Sequence, residues 1–96
     1  MKPPVFGTHI RELTPEIKQQ IESNKGMLIY AVIKGSPAFE ADILKGDVLR
    51  KIGDVSVFDQ ESFQRALSNY EGKETDVTLF RGNKELHKLV KLRTRN

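Results

Sequence analysis

Glycines and carboxylates are densest between Gly35 and Asp54, where the chain reads GSPAFEADILKGDVLRKIGD, with three glycines and four acidic residues among short apolar runs. Two chemistries use such residues. A phosphate cradle needs glycines followed at once by a helix N-terminus, usually with a Lys-Ser/Thr pair. Here Gly46 leads into DVLRKI, a strand pattern. A calcium loop needs alternating oxygen ligands and a closing Glu within about twelve residues. Asp42, Asp47 and Asp54 stand five and seven residues apart, with a strand pattern between the last two. No metal and no cofactor is therefore expected. Nucleophilic catalysis needs a base beside its Ser, Thr or Cys. The chain has no cysteine and two histidines, His9 and His87, both in alternating strand contexts, and it has no G-x-S-x-G elbow. None of the 13 acidic residues falls at an apolar position that would raise its pKa. A non-catalytic chain is expected.

The elements that position these residues belong to one small domain, because 96 residues support one hydrophobic core and not two. Apolar residues make up 38% and charged residues 30%, a globular balance. The net charge of +3 is spread along the chain, which fits a solvated surface rather than a nucleic-acid stripe. No apolar run approaches the ~20 residues of a membrane span, and no signal peptide is evident. The ends, MKPP and LRTRN, fit a module excised from a larger protein.

Pro3 and Pro4 exclude an initial helix, and VFGTHI follows as a short extended run. Thr14, Pro15 and Glu16 start a helix as N-cap, first residue and dipole partner, with Leu13, Ile17 and Ile21 on its core side and Asn24, Lys25 and Gly26 ending it. MLIYAVI, residues 27–33, reads as a central strand. Ser36 and Pro37 cap a helical turn through Ala41, and DVLRKI and VSV form strands broken at Gly53 and Asp54. Asp59 caps a second real helix from Gln60 to Tyr70, with Phe58 and Phe63 at the two positions of a hydrophobic staple. TDVTLF and KELHKLVKL close the domain as a hairpin around Arg81, Gly82, Asn83 and Lys84. The expected fold is mainly β with two helices (α+β): a partly open barrel of five to six strands capped by helices.

The opening stretch, through Val32, Gly35, Ser36, Pro37, Ala38, Ala41, Ile43, Gly46, Asp47, Val48, Leu49 and Ile52, resembles the most recognisable segment of PDZ domains of the bacterial, circularly permuted type. The resemblance extends through FDQESFQRAL, Gly72 and the closing hairpin, and covers residues 5–93. Ser36 caps, Pro37 starts the turn, Ala38 and Ala41 allow close packing, and Asp47 bonds local backbone. These are structural tasks. Two positions depart from the family: Ala41-Asp42-Ile43 stands where relatives have Ala-Gly-Leu, and Ile52-Gly53-Asp54 where they have Ile-Asn-Gly.

The resemblance implies capture of an extended peptide, typically a free C-terminus, as a strand added beside the second helix. The terminal carboxylate would sit on backbone amides of Val5-Phe6-Gly7-Thr8, a concave donor nest. Gly7 lets the amides converge, Phe6 anchors the loop, and Thr8, His9 and Ile10 offer the strand edge, with Ile10 toward the terminal pocket. Across the groove, i, i+4, i+7 spacing places Gln60, Gln64 and Leu67 on one helical face, with Leu67 closing the pocket and Phe63, Ala66 and Tyr70 toward the core. Thr8 stands where the family's loop usually has an apolar residue, and Gln60 where one specificity class has histidine. The partner expected is thus a peptide or protein C-terminus, with no nucleic acid, no membrane insertion and a monomeric isolated domain. The parent expected from the resemblance is an envelope or periplasmic protease of the HtrA type, an intramembrane metalloprotease or a C-terminal processing peptidase. The alternative of another class is a docking domain in a secretion or assembly machine, with its groove closed to free peptides.

Overall fold

A computed structural model describes residues 4–94; the reading of Pro3 as non-helical lies outside them. The elements are β1 (Thr8–Arg11), α1 (Pro15–Ile21), β2 (Met27–Val32), α2 (Pro37–Glu40), β3 (Val48–Ile52), β4 (Val55–Ser56), α3 (Gln60–Tyr70), β5 (Glu74–Arg81) and β6 (Lys84–Lys91). All pairings are antiparallel, in the order β1-β2-β3-β5-β6 with β4 beside β3. The sheet is open, as a partly open barrel requires, and β1 is one edge. The helical turn after Ser36 is regular enough to make a third helix.

Caps form where the residue types place them. Thr14 Oγ1 accepts from Ile17 N–H at 3.2 Å and Ser36 Oγ from Phe39 N–H at 3.2 Å. At α3, Asp59 Oδ1 accepts from Ser62 N–H at 2.7 Å while Ser62 Oγ accepts from Asp59 N–H at 3.1 Å, so a reciprocal box starts the helix. The expected staple does not form: Phe63 is buried edge-on against Phe6, whereas Phe58 is 57% exposed. Ser62 Oγ also holds the Phe58 N–H at 2.9 Å, so the entry angle of α3 is set by hydrogen bonds instead.

Helix α1 ends at Ile21, ahead of the Asn24 to Gly26 stop expected from composition. Glu22 adopts φ 55, and its N–H and that of Ser23 fold back onto the carbonyls of Gln19 and Lys18, a Schellman-type stop on a non-glycine residue. The strand over 27–32 is also not central. It lies second from the edge, and β3 holds the middle. Its apolar run reflects covering on two faces: Met27 and Ile29 enter the main core, while Leu28 packs with Leu13, Ile17, Ile21, Val48 and Phe80 beneath α1.

The main core joins Phe6, Ile10, Ile29, Leu49, Ile52, Phe63, Leu67, Val77, Leu79 and Leu92 between the sheet, α2 and α3. On the opposite sheet face, His87 Nδ1 lies 2.8 Å from Asp76 Oδ2 and Nε2 lies 3.0 Å from Glu85 Oε2. Hydrogen bonds first to Asp76 and then to Glu85 raise the His87 pKa above the ordinary imidazole value. Because the folded value is the higher one, its stabilisation is fully present below the unfolded pKa, about 6.5, and is lost as pH rises through the folded pKa. An NMR titration of the His87 ring should therefore give a midpoint above that value, and Asp76→Asn should bring it down.

Candidate functional site

The loop Val5-Phe6-Gly7 is held from three sides. Arg93 N–H donates to the Val5 carbonyl at 3.1 Å, Ala38 N–H to Phe6 at 2.9 Å and Ile33 N–H to Gly7 at 2.8 Å. With the carbonyls turned into the protein, the N–H groups of Phe6 and Gly7 have no acceptor among the described residues. Gly7 sits at φ 98, a conformation only glycine adopts cheaply, and a Cβ there would collide with the side chain of Ser36. Ser36 is 1% exposed, so it has no room to yield. The GSPA segment is thus the wall that shapes the loop. Arg93 NH2 adds a clamp by donating to the Gly35 carbonyl at 2.9 Å.

The Gly7 carbonyl faces β2, and antiparallel alternation then turns the N–H and C=O groups of Thr8 and Ile10 to the open edge. A side chain marks that edge: Gln60 Nε2 donates to the Ile10 carbonyl at 3.2 Å across the space between β1 and α3. β1 and the start of α3 thus border the candidate groove.

Side chains of β1 alternate, with Ile10 buried and His9 and Arg11 exposed. Tyr30 is the unpaired residue of a bulge in β2, and its ring is flanked by the His9 ring at 5.8 Å and the Arg11 guanidinium at 4.2 Å. His9 therefore lies on the face away from α3, apart from the other candidates. Val5, Phe6, Ile10 and Leu67 come together in the main core, so the floor of the groove is continuous with the core. Gln60 and Gln64 are exposed on the same helix, two turns and one turn before buried Leu67. Thr8 is half-buried, and its Oγ1 is enclosed without a partner among the described residues.

Sequence reasoning missed two functional contacts. Nothing in the spacing ties Gly7 to Ser36, 29 positions apart; the only signal is that both are small. Gln60 is readable as a helix-face residue, but its bond to a carbonyl 50 positions away is not.

A family model described as "PDZ domain" matches residues 4–92. The chain belongs to the PDZ domain family. Among curated proteins this PDZ domain is 37% identical over 68 residues to the serine protease Do-like HtrA of Lactococcus lactis subsp. cremoris, covering 70% of the chain and 17% of that protein. It therefore spans about a sixth of that relative. Among solved structures it superposes on the HtrA3 PDZ domain bound to a phage-derived ligand (FGRWV) with TM-score 0.76 at 23% identity, covering 92% of this chain and 83% of that one. It superposes on the HtrA-type protease AlgW with tripeptide at TM-score 0.80 and 20% identity, covering 95% and 31%. At those identities the likeness is one of fold. The PDZ domain is a non-catalytic module, and it matches the PDZ part of HtrA-type proteases.

Proposed function

We propose that this PDZ domain captures an extended peptide or protein C-terminus by strand addition between β1 and α3. The observation that carries this reading is the combination of unengaged Phe6 and Gly7 amides with an open β1 edge leading away from them. The amides would take the terminal carboxylate, the edge would pair with the ligand backbone, and the apolar floor at Phe6, Ile10 and Leu67 would receive the terminal side chain. An incoming strand takes the Ile10 carbonyl from Gln60. Solved HtrA-type relatives with bound peptides support the same reading.

A few strand-pairing bonds at ~1 kcal/mol each and one buried side chain at ~2 kcal/mol, less ordering costs, make for weak binding, no tighter than the micromolar scale of about 8 kcal/mol. Titrating hydrophobic C-terminal peptides into labelled protein should shift amide signals at Gly7 to Ile10 and Gln60 to Leu67. Silence there across a diverse peptide library refutes the proposal.

The match to a small part of an HtrA protease supports a role as one module of a larger protease that recognises substrate or regulates access to a catalytic site elsewhere; in isolation the module is proposed to be a monomer. The same kinship favours the cell envelope or periplasm. A second reading, a docking domain closed to free peptides, is favoured by one observation, the Gln60 bridge to Ile10. The titration separates the two.

A further inference from the structure

Helix α1 covers only part of the outer sheet face, the part at Leu28, Val48 and Phe80. Beside it lies a cleft of about 460 Å³, lined by Lys25, Arg50, Lys51, Thr78 and Glu85 with Phe58 at the rim. That volume is in the range of ordinary ligand clefts, roughly 300–1,000 Å³. The alternation of β3 and β5 explains the lining. Arg50 is the extra residue of a β3 bulge, between the pairs Leu49↔Leu79 and Lys51↔Thr78. Its guanidinium lies 4.1 Å above the Phe80 ring, which places it on the outer face, and its Nε is enclosed without a partner among the described residues. Across the β5–β6 ladder Glu85 pairs with Phe80, and its carboxylate is already engaged by His87 Nε2 at 3.0 Å. Three cations thus face one anion that has its own partner.

Phe58 is 57% exposed, having failed to staple α3. It stands between this cleft and a second, mainly polar depression of about 220 Å³, which it lines with Glu12, Leu13, Lys18, Asn24 and Met27. A large exposed aromatic beside a basic cleft, with an adjoining hollow, is the anatomy of a docking site rather than of a plain solvated face.

We propose that this outer face is a second docking site, which takes an acidic segment of a protein partner with an apolar side chain next to its carboxylates. The carboxylates enter between Lys25, Arg50 and Lys51, where the enclosed Arg50 Nε, unpartnered among the described residues, donates to one oxygen and the two exposed lysines add positive charge, and the apolar side chain packs on Phe58. The site shares no residue with the β1–α3 groove, so either can fail without the other.

The test uses an acetylated, amidated glutamate-rich peptide carrying one phenylalanine, which has no free carboxyl terminus for the Gly7 loop. Titrated into labelled protein, it should shift Gly26, Ser56, Val57, Phe58 and Thr78 and leave Gly7 to Ile10 still. Arg50→Gln should weaken binding about fivefold, and Lys51→Glu, at an exposed position that does not threaten folding, should do at least as much. Raising salt from about 50 to 300 mM should weaken it further. No shifts at millimolar peptide, shifts confined to the groove, or equal binding of the same peptide with lysine in place of glutamate would each overturn the proposal.

Discussion

Gly7→Ala is expected to remove peptide capture, with at least a tenfold rise in Kd, and to cost the domain about 2–5 kcal/mol. Two effects add at this position. A φ of 98 costs an alanine about 1–2 kcal/mol. Forcing its Cβ against Ser36, which is 1% exposed, costs a further 1–3 kcal/mol, roughly the price of overpacking a core. The loop can relieve the collision only by moving away from α2, which breaks the bonds from Ala38 and Ile33 that turn its carbonyls inward. Amide geometry and ligand affinity should therefore fall together. Gly7→Ala combined with Ser36→Gly separates the two effects, since glycine is itself a tolerable N-cap and the collision is gone. Urea unfolding should then show about half of the lost stability restored. A single Gly7→Ala variant that binds peptide like the parent would refute the loop as the carboxylate site.

Arg81→Met is the second large effect, a loss of about 3 kcal/mol in urea unfolding with no direct effect on the groove. Asp47 is buried with its side chain 2% exposed, while Arg81 is 38% exposed. Arg81 Nε donates to Asp47 Oδ1 at 2.9 Å, and NH2 donates to Oδ2 at 2.9 Å and to the Asp42 carbonyl at 3.0 Å. The two-pronged bond to Asp47 raises the guanidinium pKa further, so Arg81 stays charged. Removing Arg81 leaves a buried carboxylate with the Leu44 N–H, at 2.9 Å, as its one remaining partner among the described residues, and an uncompensated buried charge is costly. Asp47→Asn is milder, because the amide oxygen still accepts from Leu44 and Arg81 can reach water. The double variant should lose less than the sum of the singles. Strict additivity would show that the pair is not coupled.

The same pair shows where local reading stopped. Asp47 was expected to bond local backbone, and it does so through Leu44. That the other half of its carboxylate anchors the β5–β6 hairpin, 34 positions on, has no local signature. The caps at Thr14, Ser36 and Asp59 were all readable because each side chain bonds a backbone N–H three residues ahead. The start of helix α3 was legible for that reason, and its end near Tyr70 from the Gly72 and Lys73 that follow. The failed staple at Phe58 and the early end of α1 at Glu22 were not legible, since both depend on hydrogen bonds that compete with packing in the folded chain.

Residue types by themselves pointed away from a catalytic constellation and toward a small sheet of short strands with capped helices, and the GSPA to IGD segment supplied the resemblance to PDZ domains. Turn and cap chemistry acts over three or four residues and so is written in the order of the chain. Composition marked VFGTHI as a short extended run, and the resemblance made it the loop and edge strand of the expected site. Only the tertiary structure decided how that loop is built: GSPA forms its back wall, Arg93 clamps it, and Gln60 reaches across to Ile10. Those contacts join residues 29 to 88 positions apart, a proximity that exists only once the sheet has paired and α3 has packed against it.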